Sequence, residues 1–139
     1  MSTKLKDKEE KIRQIINTLA EESAKGKPIV VEGKKDAAAL CDLGVCGVIL
    51  TVKTCGKSFL EATAEIEQLG FREVILLLDF DRRGKEGTMR LKQDLERAKI
   101  KATTKFWQDL EALAGRELQC VESLPSYLAT LNEKVSKSV

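Results

Sequence analysis

The feature that most constrains this chain is an uninterrupted apolar run that ends abruptly in acidic residues. Ile75–Leu78 is followed directly by Asp79, Phe80 and Asp81. Such a run is typical of a parallel strand that is buried on both faces. Residues two apart along a strand point to the same side, so Asp79 and Asp81 can face one point. Because open α/β sheets bind ligands at the carboxyl ends of their strands, the run predicts a ligand site there.

The rest of the chain alternates short apolar runs with amphipathic segments of helical periodicity. This is the pattern of βαβ units, and it predicts a parallel sheet. Right-handed crossovers then place helices on both faces of the sheet. We therefore expect an α/β fold with a central parallel sheet of about four strands. The expected strands are Pro28–Glu32, Cys46–Leu50, Glu73–Leu78 and, at an edge, Ile100–Ala102.

Both ends of the chain are expected to be helical. Ile12, Ile16 and Leu19 follow the spacing of one apolar helix face, so the first segment should pack on the domain and end at Gly26. A last helix is expected to start near Ser123. The tail Lys134–Val139 is polar and is expected to fray.

Composition narrows the class of protein. A chain of 139 residues favours one domain, and a net charge of +2 does not by itself require a polyanionic partner. The N-terminus lacks the apolar core of a signal peptide. No apolar run approaches the roughly 20 residues that a membrane helix needs. We expect a cytoplasmic protein that does not associate with membranes.

The four cysteines, Cys41, Cys46, Cys55 and Cys120, contain no CxxC pair, and the chain has no histidine. A zinc site built from cysteine and histidine is therefore disfavoured. We expect reduced thiols on apolar faces of helices and strands. Without histidine, no Ser-His or Cys-His nucleophile can form. Acid/base chemistry must come from Glu, Asp, Lys, Tyr or water.

Three carboxylates are expected to converge at the carboxyl edge of the sheet. Glu32 ends the first strand, and Asp79 and Asp81 end the third. Three acids that close together would repel one another, and a divalent cation removes that conflict. Hard oxygen ligands of this kind suit Mg²⁺ or Mn²⁺, so Glu32, Asp79 and Asp81 are the candidate metal ligands. Gly33, directly after Glu32, leaves backbone room for a substrate.

The two acidic motifs together resemble the Toprim domain. The first motif is Val31–Asp36 and the second is Leu78–Gly84. The resemblance covers Pro28–Lys101 and is strongest to the small stand-alone Toprim proteins of archaea and some bacteria. The domain is shared by DnaG-type primases, topoisomerases, RecR-type repair proteins, old-family nucleases and the ribonuclease M5 family.

The resemblance implies a compact Rossmann-like fold and assigns roles to individual residues. It implies that Glu32 does general acid/base work and that Asp79 and Asp81 bind Mg²⁺. Asp36 also matches the first motif, and Gly56 matches a common glycine position after the second strand. On this basis we divide one globule into an N-terminal helix (1–27), a Toprim-like domain (28–118) and a C-terminal helix with its tail (119–139).

Two other kinds of site share parts of the pattern. Gly56, Lys57 and Ser58 open a helix after a strand, as a P-loop does, but Thr51 stands where that motif needs glycine. A phosphate contact by Lys57, or simple helix capping, both remain open. A response-regulator receiver is disfavoured because it carries its acidic pair after the first strand.

Basic residues surround the acids and favour a nucleic-acid partner. From position 82 to 101 the chain has eight basic residues and three acidic residues. Those nearest the acids are candidate phosphate contacts, and the distal half is interpreted as a solvated helix face. Trp107 is interpreted as core. The candidate phosphate contacts are Arg82, Arg83, Lys85, Lys34, Lys35, Lys57, Gly33 and Gly56.

These features lead to a functional hypothesis with two alternatives. The first is Mg²⁺-dependent chemistry on the phosphodiester bonds of RNA or DNA, most simply hydrolysis by a nuclease. The second is a metal-dependent nucleic-acid-binding or adaptor module without turnover, since no accessory domain is evident. Phosphoryl transfer on a small nucleotide is a third possibility.

Overall fold

The computed structural model describes residues 2–52 and 58–137 of the chain. Within these ranges six α-helices and four strands alternate, with one short 3-10 helix before the last α-helix. The helices are α1 (Ser2–Ala24), α2 (Lys34–Asp42), α3 (Phe59–Gln68), α4 (Arg82–Arg97), α5 (Lys105–Ala114) and α6 (Leu124–Lys137). The strands are β1 (Ile29–Val31), β2 (Ile49–Thr51), β3 (Glu73–Leu76) and β4 (Lys101–Thr103), and the 3-10 helix is Val121–Ser123.

The four strands form one parallel sheet in the order β2-β1-β3-β4. The predicted α/β fold is therefore confirmed, and β4 lies at an edge as expected. Ile29 pairs with both Ile49 and Ile75, so β1 and β3 are central neighbours. The backbone nitrogen of Leu77 donates to the carbonyl of Val30 at 2.8 Å, which holds β3 to β1 beyond the regular ladder.

Side chains of the central strands alternate between two apolar layers because successive strand residues face opposite sides. One layer joins the sheet to α1, α5 and α6, and the other joins it to α3 and α4. Ile12, Ile16 and Leu19 of α1 are buried in the first layer, as their spacing predicts. The central strands contribute Ile29, Val31 and Ile75 to the first layer, which also contains Leu77 directly after β3, and they contribute Val30, Val74 and Leu76 to the second.

The predicted start of β2 is wrong, and the tail that is expected to fray is helical as far as Lys137, with residues 138 and 139 outside the described ranges. In the segment before β2, the carbonyl of Val48 accepts from the backbone nitrogen of Ile29 at 3.0 Å, whereas the backbone nitrogen of Gly47 donates to Ser23 Oγ of α1 at 3.2 Å. β2 therefore begins only at Ile49. At the other end, α6 continues to Lys137, because Leu131 is buried against the first layer.

The expectation of reduced, buried cysteines is also wrong for two of them. Cys41 and Cys46 are exposed and form a disulfide across the end of α2. Cys120 is free and half-buried, and Cys55 lies outside the described residues. Within the described ranges, no helix combines the length and the apolar character that a membrane span requires.

Candidate metal centre and nucleic-acid pocket

Glu32, Asp79 and Asp81 line one pocket of about 540 Å³ at the carboxyl edge of the sheet. They meet there because β1 and β3 are adjacent and parallel, so both strands end at the same edge. Glu32 is buried, with 8% of its surface exposed. Asp79 is half-buried and Asp81 is exposed. The pocket thus has its acids at graded depths, from Glu32 at the base to Asp81 at the mouth.

Asp81 also begins the helix that follows β3. Its Oδ1 accepts a hydrogen bond from the backbone nitrogen of Gly84 at 2.7 Å, which is an N-cap. The first turn of α4 packs so tightly that a Cβ at Gly84 would meet the carbonyl oxygen of Asp79. The second motif therefore fixes the start of α4 as well as the position of the two acids.

The segment that carries Asp79 and Asp81 is held from behind by α5. Trp107 Nε1 lies 3.0 Å from the carbonyl oxygen of Leu78 and 3.3 Å from that of Asp79, and it donates to both. The Trp107 ring stacks on Phe80 with ring centroids 5.9 Å apart. The backbone nitrogen of Phe80 donates to the carbonyl of Gln119 at 2.7 Å. Trp107 is therefore partly core, as expected, and also a polar support of the acidic segment.

Asp36 supports the first motif in a similar way. Its Oδ2 accepts from the backbone nitrogen of Gly33 at 3.0 Å, and its Oδ1 accepts from the backbone nitrogen of Glu122 at 2.9 Å. Asp36 is buried. Both of its oxygens are thus used to tie the turn after Glu32 to the 3-10 helix, and Gly33 itself is not among the residues that line the pocket.

The oxygen atoms of the three pocket carboxylates do not all lie within 4.8 Å of one another. Among the described residues, one group of three candidate ligands lies within 4.8 Å of one another, and it is Asp36, Cys120 and Glu122. In that group Asp36 Oδ1 also accepts from the backbone nitrogen of Glu122 at 2.9 Å. In the pocket itself, capping by Asp81 turns one carboxylate toward the start of α4.

The basic residues predicted near the acids separate into two kinds. Arg82 pairs with Glu86 at 3.3 Å, and Lys85 pairs with Glu111 of α5 at 3.1 Å. Arg83, in contrast, lines the pocket and has no ion pair within 4.0 Å among the described residues. Lys34 and Lys35 are exposed at the start of α2 and do not line the pocket. Gly56 and Lys57 lie outside the described residues.

Sequence reasoning missed several residues of the pocket wall, among them the acid Glu86. Arg90 is not among the phosphate contacts predicted from the sequence, yet it lines the pocket, and so do Phe59 and Leu60 of α3. The available signal for Arg90 was its spacing, since residues seven apart on a helix share a face and Arg83 is seven residues earlier. No sequence signal placed α3 beside α4, because that contact depends on the strand order.

The sequence profile of the Toprim domain matches residues 26–104, which span β1 to β4 and both acidic motifs. The chain belongs to the Toprim domain family. Similar proteins include the UPF0292 protein of Methanocaldococcus jannaschii, which is 38% identical over 86% of this chain and 91% of the relative. The UPF0292 protein of Methanosarcina acetivorans is 33% identical over 93% of this chain and 88% of the relative.

A solved structure of a protein from Aquifex aeolicus has the same fold. Its TM-score is 0.66, with 24% sequence identity over 79% of this chain and 94% of that chain. At this identity the likeness supports the Toprim fold alone.

Membership of the Toprim family indicates a divalent-metal-dependent function related to nucleic acids. The pocket chemistry fits such a cation, because its acidic ligands are carboxylates and its lining contains no cysteine among the described residues. The chain also has no histidine. Oxygen donors without sulfur or imidazole suit hard divalent cations.

Proposed function

We propose that this Toprim protein is a Mg²⁺- or Mn²⁺-dependent nuclease that hydrolyses phosphodiester bonds at the carboxylate pocket. The observation that carries the proposal is the shared pocket of Glu32, Asp79 and Asp81, with Arg83 and Arg90 in its wall and without an ion pair to any other residue that the structure describes. Acids that can hold a cation next to arginines that can hold phosphates match the charge pattern of a phosphodiester with its metal.

Each residue has a separate task in this proposal. Asp79 and Asp81 hold the cation, with Glu32 beside them at the base of the pocket. When bound, the cation would neutralise charge on the phosphate oxygens. Glu32 accepts a proton from a water whose oxygen attacks phosphorus, the bond from phosphorus to the leaving sugar oxygen breaks, and solvent protonates that oxygen. Arg83 holds a non-bridging phosphate oxygen.

The proposal predicts that cleavage is lost when a pocket carboxylate is replaced by the neutral amide of the same shape. Glu32→Gln and Asp79→Asn should each reduce cleavage by about 100-fold or more, the usual scale for removing acid/base or electrostatic help. Asp42→Asn is the matched control, because Asp42 is an exposed acid at the far end of α2. The measurement is cleavage of single-stranded and structured RNA and DNA with Mg²⁺ or Mn²⁺. Cleavage that is unchanged in both variants would contradict the site.

Calorimetric titration of the metal separates the nuclease from a binding module. We expect Asp79→Asn to weaken Mn²⁺ binding strongly, and Glu32→Gln to lose cleavage with a smaller loss of Mn²⁺ affinity. Mn²⁺ binding by the wild type without cleavage of any nucleic acid in the panel would overturn the nuclease. It would favour the non-catalytic, metal-dependent nucleic-acid adaptor instead.

A further inference from the structure

The lining of the carboxylate pocket combines groups of different chemistry. Beside Glu32, Asp79 and Asp81 it contains Arg83, Glu86 and Arg90 of α4 and Phe59 and Leu60 of α3. A second groove along α4 is lined by Met89, Gln93 and Arg97 together with the acids Glu86 and Asp94, which pair with Arg82 and Arg97. Because Glu86 and Arg90 line both the pocket and this groove, the two are adjacent along α4, and together we call them the α4 track.

The arginines of the α4 track are evenly spaced along one helix face. Arg83, Arg90 and Arg97 are seven residues apart, so each lies about 10 Å from the next along the axis and nearly in line with it. Within the described part of the chain, Arg83 and Arg90 have no ion pair within 4.0 Å, and Arg97 has only Asp94 at 4.0 Å. These guanidinium groups are therefore available to an external anion with repeated charges.

Apolar side chains are exposed along the same path. Leu60 is 71% exposed in the pocket, and Met89 is 58% exposed in the groove. They are two of the four large apolar side chains that are exposed among the described residues. Phe59 packs against α4 where Gly87 has no side chain, so the two helices approach closely there, and Leu60 lines the same pocket as Arg83 and Arg90.

We propose that the α4 track binds a single-stranded segment of nucleic acid, with its backbone on the arginines and an unpaired base on Leu60. This proposal rests on the proposed nuclease function and specifies its substrate. Paired bases in a duplex present only their edges, whereas an unpaired base exposes an apolar face that can pack on an apolar side chain. From Arg83 to Arg97 the track is about 21 Å long, room for several phosphates.

The test is fluorescence anisotropy with labelled oligo-dT and oligo-rU of about 12 nucleotides, a length in the usual range of strand-binding sites. A duplex of the same length is the comparison, and binding is measured in EDTA and in Ca²⁺. We expect tighter binding of single strands than of duplex. Arg90→Ala should weaken strand binding several-fold and reduce the slope of log K against log salt by about 0.7. Leu60→Ala should weaken it as well.

Matched controls come from the opposite edge of the sheet. Arg72→Ala removes an exposed arginine before β3, and Leu69→Ala removes a leucine that is 54% exposed at the far end of α3. Both should bind strands like the wild type. Since Arg90 and Leu60 are exposed at the surface or in an open pocket, their variants should keep the wild-type melting temperature.

The outcomes separate this proposal from the nuclease proposal. Binding of oligo-dT, oligo-rU or both that depends on Arg90 and Leu60 in EDTA supports the track even if no cleavage is found. A preference between the two strands would identify DNA or RNA as the natural one. Tighter binding of duplex, no detectable strand binding, or Arg90→Ala and Leu60→Ala variants that match their controls would overturn the track, while cleavage that depends on Asp79 would still stand.

Discussion

At the scale of single residues, the acidic segment is defined by the groups behind it as much as by its own carboxylates. Trp107 donates to two successive carbonyls, and Phe80 is held both by stacking on Trp107 and by the carbonyl of Gln119. Mutation of groups that orient a metal ligand typically weakens metal binding or activity by about 10- to 100-fold. The pocket therefore depends on side chains that never enter it.

Trp107→Phe should separate this supporting role from packing. Phenylalanine keeps the stacking on Phe80 but leaves the carbonyls of Leu78 and Asp79 without their donor. We expect a loss of about 1–3 kcal/mol in unfolding free energy, and about 10-fold weaker Mn²⁺ binding at Asp79 and Asp81. Urea unfolding and calorimetry measure the two effects. Weaker stability with unchanged Mn²⁺ affinity would mean that Trp107 is only a core residue.

Replacement by alanine should lower the unfolding free energy at one glycine of the motifs and leave it nearly unchanged at another. A Cβ at Gly84 would meet the backbone of Asp79, which cannot move without displacing the acid, so Gly84→Ala should cost about 3 kcal/mol of unfolding free energy. A Cβ at Gly33 would approach nothing closer than 4.0 Å, and its backbone is extended at φ −147°.

Gly33→Ala should therefore leave the unfolding free energy within about 0.5 kcal/mol of the wild type. If substrate approaches the backbone at Gly33, the same variant should cleave more slowly at full stability. Equal melting temperatures for the two variants would contradict the packing at Gly84.

At the scale of secondary-structure elements, the helices at the two ends of the chain are joined by charges. Lys8 Nζ of α1 donates to Glu117 Oε1 at 2.9 Å, and Tyr127 Oη of α6 donates to Glu117 Oε2 at 3.0 Å. The hydrogen bond from Lys8, then that from Tyr127, holds the pKa of Glu117 below its usual 4.5. The segment between α5 and α6 thus anchors both terminal helices.

This anchor predicts a dependence of stability on pH. Because the pKa of Glu117 is lowered in the folded chain, its contribution is fully present above about pH 4.5 and is lost as the pH falls through the folded pKa. Lys8→Met should therefore lower the melting temperature at pH 7 and have a shrinking effect as the pH falls below 4.5. Lys6→Met, at an exposed lysine of α1, is the control and should have little effect at either pH. An effect of Lys8→Met that is the same at pH 7 and at low pH would contradict the prediction.

At the scale of the whole molecule, the strand order decides which side chains can meet. β1 and β3 lie at the centre of the sheet, so their carboxyl ends bring two distant motifs into one pocket. α3 and α4 cover the same face, and their gap becomes the side wall of that pocket. A ligand in the pocket thus contacts residues that follow β1 and β3 and residues of α3 and α4. Its binding should therefore raise the unfolding free energy of the whole fold.

Metal binding should accordingly stabilise the chain as a unit. Mn²⁺ at one hundred times its dissociation constant should add about 2.7 kcal/mol to the unfolding free energy, and EDTA should remove that gain. Asp79→Asn should show no comparable gain at the same Mn²⁺ concentration. The measurement is the melting temperature with increasing Mn²⁺, and an equal rise in the wild type and in Asp79→Asn would place the cation elsewhere.

Local patterns in the sequence were enough to predict the elements and the acids of the pocket. The apolar run before Asp79, the helical spacing of Ile12 and Leu19, and the alternation of strands and helices are local, and the structure confirms each of them. Glu32, Asp79 and Asp81 could be predicted as site residues because acids that follow parallel strands lie at the carboxyl edge of the sheet, where ligands bind.

Only the tertiary structure decided what surrounds those acids. Trp107 supports the acidic segment, Lys85 pairs with Glu111, and Leu60 and Arg90 line the same pocket. Each of these arrangements joins elements that are distant along the chain. The physical reason is that periodicity fixes which face of a helix is apolar, whereas the neighbour that the polar face meets depends on strand order and packing. The sequence thus determined the sheet and its acids, and the packing of α3, α4 and α5 decided the pocket that they line.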